Sequence, residues 1–369
     1  MIPVLILCTL LFVVSSAILI TSPGKLPTLK DRQGRKIAGS LSEKTWVDIN
    51  GLQQGMFIRS EDPTNPVVLY IHGGPGTPML QFISYLEKDV RLEKYFTVCY
   101  WDQRGSGMTY SHSADPATMT VENMVEDAHQ VTEYLKSRFG QKKIYVIGHS
   151  WGSYLSVKLI EKYPEDYLAY ISLGQTVNFV ESERLSYHYM LKHAKEINDL
   201  DVLDKLEQFD PSAVGFPLLP EEGHQLDYML VRTTSLNKYG IGHIHDMKEV
   251  QEGSYTRAFI RAMIPFKGYT VREKINWFLG ADYSMVYLFP VLLDVNLMET
   301  SVDFEIPIYM IVGDYDYMTS QVLAQEYFSV LKAPKKEYFA FHQSAHSANM
   351  EEPELFIEVM RKVAAENPQ

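Results

Sequence analysis

The strongest constraint on the fold is an alternation of short apolar strands with helices, which begins near residue 45. A short strand is predicted at residues 57–58, and buried strands at 66–71, 96–101, 143–147, 170–173, 308–312 and 338–341. Helices are predicted near residues 80–94, 120–138, 153–162, 321–331 and 354–365. Because strands that alternate with helices pair side by side, the pattern predicts an α/β protein with a mostly parallel sheet and helices on both faces.

The alternation stops between residues 178 and 300. This stretch consists of helical pieces, with turns at Pro211, Pro217, Pro220, Gly240 and Pro265. A mostly helical block inserted before the last strands is the layout of a lid over a catalytic α/β domain. We therefore predict a first core part at 45–177, a helical lid at 178–300 and a second core part at 301–369, preceded by an apolar segment at 1–22.

The charge balance excludes one class of partner. The chain has 369 residues and a formal net charge of −12. Because the chain has no excess of cationic side chains, it is poorly suited to displace the counterions of a phosphate backbone. Nucleic acid is therefore not an expected partner. Cys8 lies in the apolar leader and Cys99 in a predicted buried strand, so no disulfide between them is expected.

The N-terminal segment is apolar over residues 2–20, which carry no charged side chain. At 1.5 Å per residue, such a helix would roughly span a ~30 Å hydrocarbon core. The small residues Ser15 to Ala17 offer a signal-peptide site, but a basic region before the apolar run is missing and the run continues past them. We predict a single-pass anchor and a membrane localisation. Secretion after signal cleavage is the alternative, and the side of the membrane stays open.

The sharpest chemical signal is Gly148-His149-Ser150-Trp151-Gly152, directly after the predicted strand that ends at Ile147. A sharp turn between a buried strand and a helix exposes a serine Oγ at the carboxyl edge of the sheet. The two glycines lack the Cβ atoms that would collide there. Ser150 is therefore predicted to be a nucleophile. The alternative is a tight turn whose serine only caps the following helix.

A serine nucleophile needs a base, and the base needs an orienting carboxylate. Asp316 follows the strand at 308–312, and His346 follows the strand at 338–341, in the chain order that this fold requires. We predict Asp316 as the acid and His346 as the base. Asp314 and His342 are rivals for these roles, but Asp314 follows its strand too closely and His342 still belongs to a strand end.

The developing oxyanion needs two preorganised donors. One is the backbone N–H of Trp151, which follows the nucleophile. The other is expected in the loop His72-Gly73-Gly74-Pro75-Gly76, where we predict the N–H of Gly74. The alternative is that this loop is only a glycine-rich turn.

Together, the segments 72–76, 102–107 and 148–153 resemble the prolyl aminopeptidase (proline iminopeptidase) branch of the α/β-hydrolase superfamily. The resemblance implies an α/β-hydrolase fold, Ser150 as nucleophile, Asp316 as acid and His346 as base. It also implies Gly74 and Trp151 as oxyanion donors, and no cofactor. Asp102 and Arg104 would be structural, with the arginine tying the loops beneath the site as part of a buried pair.

That family removes an N-terminal residue, often proline, from short peptides. An enzyme of this kind must bind a free ammonium, which desolvated carboxylates in a lid can do. This chain departs from the family pattern: the lid lacks a Trp-x-x-Trp-Glu segment, and Tyr317 rather than a glutamate follows Asp316. Glu181 and Glu183, at the start of the lid, are the candidate ammonium ligands. The expected activity is an aminopeptidase for proline or other small residues.

Three other functions are alternatives to the aminopeptidase. An esterase or amidase of the same fold would act on uncharged acyl substrates, in a pocket lined by the lid aromatics Tyr255, Phe259, Trp277, Phe278, Tyr283, Tyr287 and Phe289. A zinc site at His243, His245 and Asp246 is only weakly indicated. Two closely spaced histidines without further ligands nearby are too few to hold a zinc ion. A catalytically silent binding protein is disfavoured by the complete triad. The predicted partner is a short peptide or small acyl substrate, and the oligomeric state is open.

Overall fold

The structure is a computed structural model that describes residues 20–86, 90–213, 216, 224–248, 251 and 255–369. Its described strands form one eight-stranded sheet in the order β1-β2-β4-β3-β5-β6-β7-β8. The strands are β1 (Leu41–Ile49), β2 (Leu52–Ser60), β3 (Val67–Ile71), β4 (Thr97–Trp101), β5 (Ile144–His149), β6 (Tyr167–Leu173), β7 (Ile308–Gly313) and β8 (Lys336–Phe341). From β4 to β8 the neighbours pair in parallel, whereas β1 and β2 are antiparallel. The predicted fold class is confirmed.

The central strands are buried on both faces, as their continuous apolar sequences predict. Every residue of β3, β4, β5 and β7 is buried. In β3, Leu69 and Ile71 pack into the core on one face, while Val68 and Tyr70 pack into the core on the other. Side chains alternate between the faces of a strand, so helices must cover both sides of this sheet.

The helices lie where the connections between parallel strands require them. They are α1 (Leu80–Leu86), α2 (Val121–Phe139), α3 (Trp151–Lys162), α4 (Phe179–Glu196), α5 (Leu200–Leu206), α6 (His224–Lys238), α7 (Tyr255–Met263), α8 (Val271–Leu288), α9 (Leu297–Thr300), α10 (Gln321–Val330), α11 (Ala348–Glu351) and α12 (Pro353–Glu366). In α2, Thr120 caps the N-terminus by accepting from the Asn123 N–H, and Gly140 ends the helix in the left-handed conformation. Both features are readable in the sequence.

Of the β1–β2 hairpin, the sequence analysis found only the short strand at residues 57–58 within β2 and missed β1 and the turn. Ile49 pairs with Leu52, so Asn50 and Gly51 alone form the turn. Asn-Gly is the commonest dipeptide of two-residue hairpin turns, and it was the available signal. The hydrophobic pattern of β1 does not indicate a buried strand, because this edge strand is only partly buried along most of its length.

The stretch between β6 and β7 carries helices α4 to α9. A separate apolar cluster forms within it, including Tyr187, Met190, Leu206, Tyr228 and Leu236. The rest of the block packs into the two clusters of the sheet, for example through Leu288 in one and Trp277 in the other. The boundary of the lid at residues 178 and 300 stays a prediction.

The predicted membrane anchor requires a correction. Among the residues that the structure describes, no helix combines the length and the apolar character needed to cross a bilayer. Residues 1–19 of the predicted segment lie outside the described residues. From Pro23 onward the chain packs on the domain: Pro23 forms a bridge with Thr270, and Leu26 and Leu29 are buried. On this finding, the prediction of a transmembrane segment with a membrane localisation is wrong.

A buried ion pair joins the loop after β4 to helix α2. The Arg104 guanidinium donates from Nε and Nη2 to the two carboxylate oxygens of Asp127, at 2.8 Å each. Asn50 of the hairpin turn also donates to Asp127, at 2.6 Å. Asp102 is not the partner of Arg104: it accepts instead from the Met108 N–H and the Tyr269 hydroxyl. Both residues of the 102–107 segment are buried and structural, but each has a different partner from the one expected.

Replacing Asp127 by Ala should lower the free energy of unfolding by about 3–5 kcal/mol, because it leaves the Arg104 charge buried and unpaired. Urea unfolding followed by circular dichroism measures this. The matched control is Glu43→Ala, which removes a half-exposed carboxylate from Arg138 and should cost under about 1 kcal/mol. Equal losses in the two variants would contradict this account of the pair.

Candidate active site

Ser150 occupies the sharp turn between β5 and α3. Its φ is 55° and its ψ −122°, a backbone conformation that a residue with a side chain adopts only when its surroundings enforce it. The Ser150 N–H donates to the Leu173 carbonyl at 2.9 Å, which fixes the turn against β6. A Cβ on Gly148 would lie 2.6 Å from the Gly152 carbonyl oxygen, which explains the glycine at that position. This is the strand–turn–helix geometry of a nucleophile elbow.

Asp316 and His346 form a hydrogen-bonded pair in the loops after β7 and β8. His346 Nδ1 lies 2.9 Å from Asp316 Oδ2, and both residues are buried. The other carboxylate oxygen accepts from the N–H groups of Met318 and Thr319, at 2.9 and 3.1 Å. Burial by itself raises the pKa of Asp316, but the charge and hydrogen bond of His346 and the donors of Thr319 outweigh it and hold that pKa below its usual value.

Ser150 and His346 line the same cavity, which we call the small chamber and which has a volume of about 160 Å³. The Ser150 hydroxyl makes no hydrogen bond to a described residue, so proton transfer from Ser150 to His346 stays a prediction. Such contacts are often long before substrate binds. The structure thus brings the serine, the imidazole and the carboxylate to one edge of the sheet.

The rival acid and base do not belong to this group. His342 Nδ1 lies 2.7 Å from Asp314 Oδ2, and their side chains are 76% and 46% exposed. The hydrogen bond and charge of Asp314 raise the pKa of His342. These two residues therefore form a surface pair with each other, and the structure does not bring either to Ser150.

The predicted oxyanion donors lie beside Ser150, and Gly74 also lines the small chamber. Gly74 and Trp151 both line a second cavity, which we call the large chamber and which has a volume of about 470 Å³. Ser150 lines this chamber as well, so the two chambers meet at the serine. The placement is compatible with the predicted roles of Gly74 and Trp151, which stay predictions.

The predicted ammonium ligands are placed elsewhere. Glu183 is fully buried, and its carboxylate oxygens lie 2.6 Å from the guanidinium of Arg232. The negative charge of Glu183 is thereby paired with that of Arg232 inside the protein, although burial still raises the pKa of Glu183. Glu181 is on the surface, 3.6 Å from Arg184. Neither glutamate is among the residues that line the two chambers. The geometry therefore gives no support to this pair of assignments.

His149 is a residue at the site that the sequence analysis did not single out. Its Nε2 lies 3.1 Å from the His346 carbonyl oxygen, and the two rings are 4.8 Å apart. Because a carbonyl only accepts, His149 must carry its proton on Nε2. Burial lowers the pKa of His149 to about 3, so the ring stays neutral beside the base. The signal was its place next to Ser150, but its partner is 197 residues away.

The weakly indicated zinc ligands point in different directions. The His243 ring lies 6.4 Å from that of His346, while the His245 ring stacks on Tyr315 at 3.5 Å. Within the described residues, these two histidines and Asp246 do not form a group with metal-ligand spacing. Burial lowers the pKa of His243 to about 3. His243 is thus a neutral wall residue of both chambers.

Gly174 permits the base to sit where it does. A Cβ on Gly174 would lie 2.7 Å from both Nδ1 and Cε1 of His346, and the residue has a φ of +55°. A side chain at residue 174 would displace the imidazole or the loop that carries it.

Replacing Gly174 by Ala should lower kcat about 100-fold, because displacing a catalytic group by about 1 Å has effects of that size. The rate of hydrolysis of an activated ester such as p-nitrophenyl acetate measures it. Gly140→Ala is the matched control: its φ is +65°, but a Cβ there meets nothing within 4 Å. Both variants should lose about 1–2 kcal/mol of stability from backbone strain. An unchanged kcat in Gly174→Ala would contradict the role given to this position.

A mostly parallel sheet with a nucleophile elbow after β5, and an acid and a histidine after β7 and β8, defines an α/β hydrolase. The family model described as the α/β hydrolase fold matches residues 66–353, and this chain belongs to that family.

The chain is similar to proteins of more than one activity. The Probable aminopeptidase YbaC of Bacillus subtilis is 30% identical over 318 residues, which cover 86% of this chain and 95% of that protein. Esterase EstD of Thermotoga maritima is 28% identical over 177 residues, which cover 46% of this chain and 42% of that protein. The proline iminopeptidase-related protein of Thermus thermophilus superimposes with a TM-score of 0.54 at 21% identity, covering 89% of this chain and 98% of its own, which shows the fold alone. The resemblance to the proline iminopeptidase branch is confirmed.

Proposed function

We propose that this protein is a serine hydrolase that acts as an aminopeptidase and releases the N-terminal residue of short peptides through an acyl-enzyme. The observation that carries the proposal is that His346, which shares a cavity with Ser150 at the elbow, is hydrogen-bonded to the buried Asp316. The family and the similarity to a probable aminopeptidase of Bacillus subtilis support it.

The proposed mechanism follows from the positions of these groups. His346 takes the proton of the Ser150 hydroxyl as the Oγ attacks the scissile carbonyl carbon. The N–H groups of Gly74 and Trp151 stabilise the oxyanion, and Asp316 stabilises the imidazolium of His346. His346 then gives its proton to the leaving amine, and water attacks the acyl-enzyme by the same route in reverse. These steps use only side chains and backbone groups of the chain.

Asp282 supplies the charge that an aminopeptidase needs. It lies on α8 and lines the large chamber, and it is the one carboxylate among the described residues that line either chamber. Asp282 makes no ion pair or hydrogen bond with another described residue, whereas Arg232 in the same wall is neutralised by Glu183. A free carboxylate in the chamber wall favours a cationic substrate group, so we assign the substrate ammonium to Asp282 in place of Glu181 and Glu183.

The second candidate function is an esterase or amidase that acts on uncharged acyl groups. Most of the large chamber's wall is apolar, including Phe179, Met229, Phe278, Met285, Phe289 and Leu292. The similarity to Esterase EstD of Thermotoga maritima also favours this activity. The two candidates share the Ser150 chemistry and differ in whether the enzyme binds an ammonium.

Replacing Ser150 by Ala should lower kcat roughly 10⁶-fold, since the members of a triad act as a unit. The measurement is the release of nitroaniline from alanyl- and leucyl-p-nitroanilide, with p-nitrophenyl butyrate as the ester comparison. Activity above a few per cent of the unmodified enzyme would refute the nucleophile assignment for both candidate functions.

Replacing Asp282 by Asn should raise KM about three- to five-fold for leucyl-p-nitroanilide, the size expected for one partly exposed ion pair. Acetylating the substrate's amino group should abolish turnover, and KM for p-nitrophenyl butyrate should stay the same. Asp204→Asn is the matched control, because it removes one exposed aspartate of the lid outside both chambers. Equal turnover of the free and acetylated anilides would decide for the esterase or amidase.

A further inference from the structure

We infer that the large chamber takes the N-terminal residue of the substrate and the small chamber takes the leaving group, so that the enzyme prefers bulky apolar N-terminal residues to proline. The inference rests on the proposed function and gives that function its substrate class. It departs from the expectation, drawn from the family resemblance, that proline or another small residue is removed.

The orientation of the substrate follows from which catalytic groups line which chamber. Trp151 lines only the large chamber and His346 only the small one, while Ser150 and Gly74 line both. His346 must reach the leaving nitrogen to protonate it, so the leaving group has to lie on the small-chamber side of the scissile bond. The carbonyl oxygen points to the oxyanion donors. The remaining substituent of that carbon, which is the N-terminal residue, then enters the large chamber.

The charge in the walls agrees with this orientation. Asp282 lines the large chamber and not the small one. The α-ammonium of a peptide is attached next to the scissile carbonyl on the N-terminal residue itself. An ammonium bound near Asp282 therefore requires the N-terminal residue to be in the large chamber, and the two arguments are independent of each other.

The size and lining of the large chamber decide the side chain that it accepts. Its volume of about 470 Å³ is nearly three times that of the small chamber, and lies within the usual range of sites for small molecules. Phe278 and Phe289 line the large chamber alone, Phe82 lines the small chamber alone, and Phe259 and Trp277 line both, so the two walls differ in extent rather than in kind. Proline or alanine would leave much of this apolar wall in contact with water, whereas phenylalanine or leucine would cover it, and burial of apolar surface is favourable.

The small chamber is bounded by a lid segment that the catalytic loops hold directly. The His346 N–H donates to the Gly242 carbonyl at 3.2 Å, and the Tyr317 N–H donates to the Ile241 carbonyl at 3.1 Å. His243 and Ile244, which follow, line the chamber. Because this wall is bonded to the loops that carry the acid and the base, the space for the leaving group is restricted.

The test is a panel of dipeptides in which one position varies at a time. With glycine as the leaving group, kcat/KM should be about 10- to 100-fold higher for Phe-Gly and Leu-Gly than for Ala-Gly and Pro-Gly, as differences of a few methylene groups predict. The Ser150→Ala variant is assayed beside it. Ser150-dependent cleavage with Pro-Gly or Ala-Gly equal to or faster than Phe-Gly overturns this inference and leaves the proposed function standing.

Two methionine substitutions test the orientation itself. Met285 lines only the large chamber and Met79 only the small one, and both are partly buried. Met285→Trp should lower the ratio of Phe-Gly to Ala-Gly turnover, and Met79→Trp should lower the ratio of Leu-Phe to Leu-Gly turnover, each about 10-fold. The reverse assignment of effects overturns the inference.

Should no dipeptide be cleaved in a Ser150-dependent manner, the proposed aminopeptidase fails, and p-nitrophenyl esters then carry the test of orientation. The acyl group takes the place of the N-terminal residue, so octanoate should be turned over faster than acetate, and Met285→Trp should reduce that preference. A preference for acetate in the unmodified enzyme overturns the inference.

Discussion

The arrangement of the site depends on one buried contact, the hydrogen bond between Asp316 and His346. Their loops leave the sheet at the carboxyl ends of neighbouring strands, β7 and β8, and the carboxylate is held by the N–H groups of Met318 and Thr319. A buried carboxylate with so many donors stays ionised, and it orients the imidazole toward the edge of the sheet where β5 delivers Ser150. The parallel order of β5, β6, β7 and β8 is what brings residues 150, 316 and 346 within one site.

The lid is bonded to the same loops rather than merely resting on them. The Ile241 carbonyl accepts from the Tyr317 N–H, and the Gly242 carbonyl accepts from the His346 N–H. The Glu351 carboxylate accepts from the backbone N–H groups of His245 and Ala345. Burial raises the pKa of Glu351 to about 7 in spite of these donors. The position of the lid and the position of the base are therefore coupled, and the shape of the chambers above Ser150 depends on the conformation of the loop that carries His346.

Sequence reasoning reached those parts of the molecule that are encoded locally. A continuous apolar strand, a glycine after a helix and a G-x-S-x-G turn each constrain their own few residues, so β3 to β8, the end of α2 and the elbow at Ser150 were predictable. Within the β1–β2 hairpin only residues 57–58 were predicted as a strand; β1 was missed because this edge strand lacks a buried pattern, even though Asn50-Gly51 marked the turn. Charge pairing was the least accessible: Glu183 with Arg232, and Arg104 with Asp127, are set by packing between distant segments. The local sequence does not distinguish Glu183, which is buried and paired with Arg232, from Asp282, which is exposed and lines the large chamber.

Activation of Ser150 by His346 and Asp316 can be tested without any assumption about substrate, by labelling with a fluorophosphonate that reacts with activated serines, followed by peptide mass spectrometry. We expect one adduct per chain, on the peptide that contains Ser150, and labelling at least about 10³-fold slower in the His346→Ala and Asp316→Ala variants. An adduct on another residue, or labelling of Ser150 at an undiminished rate without His346, would contradict it.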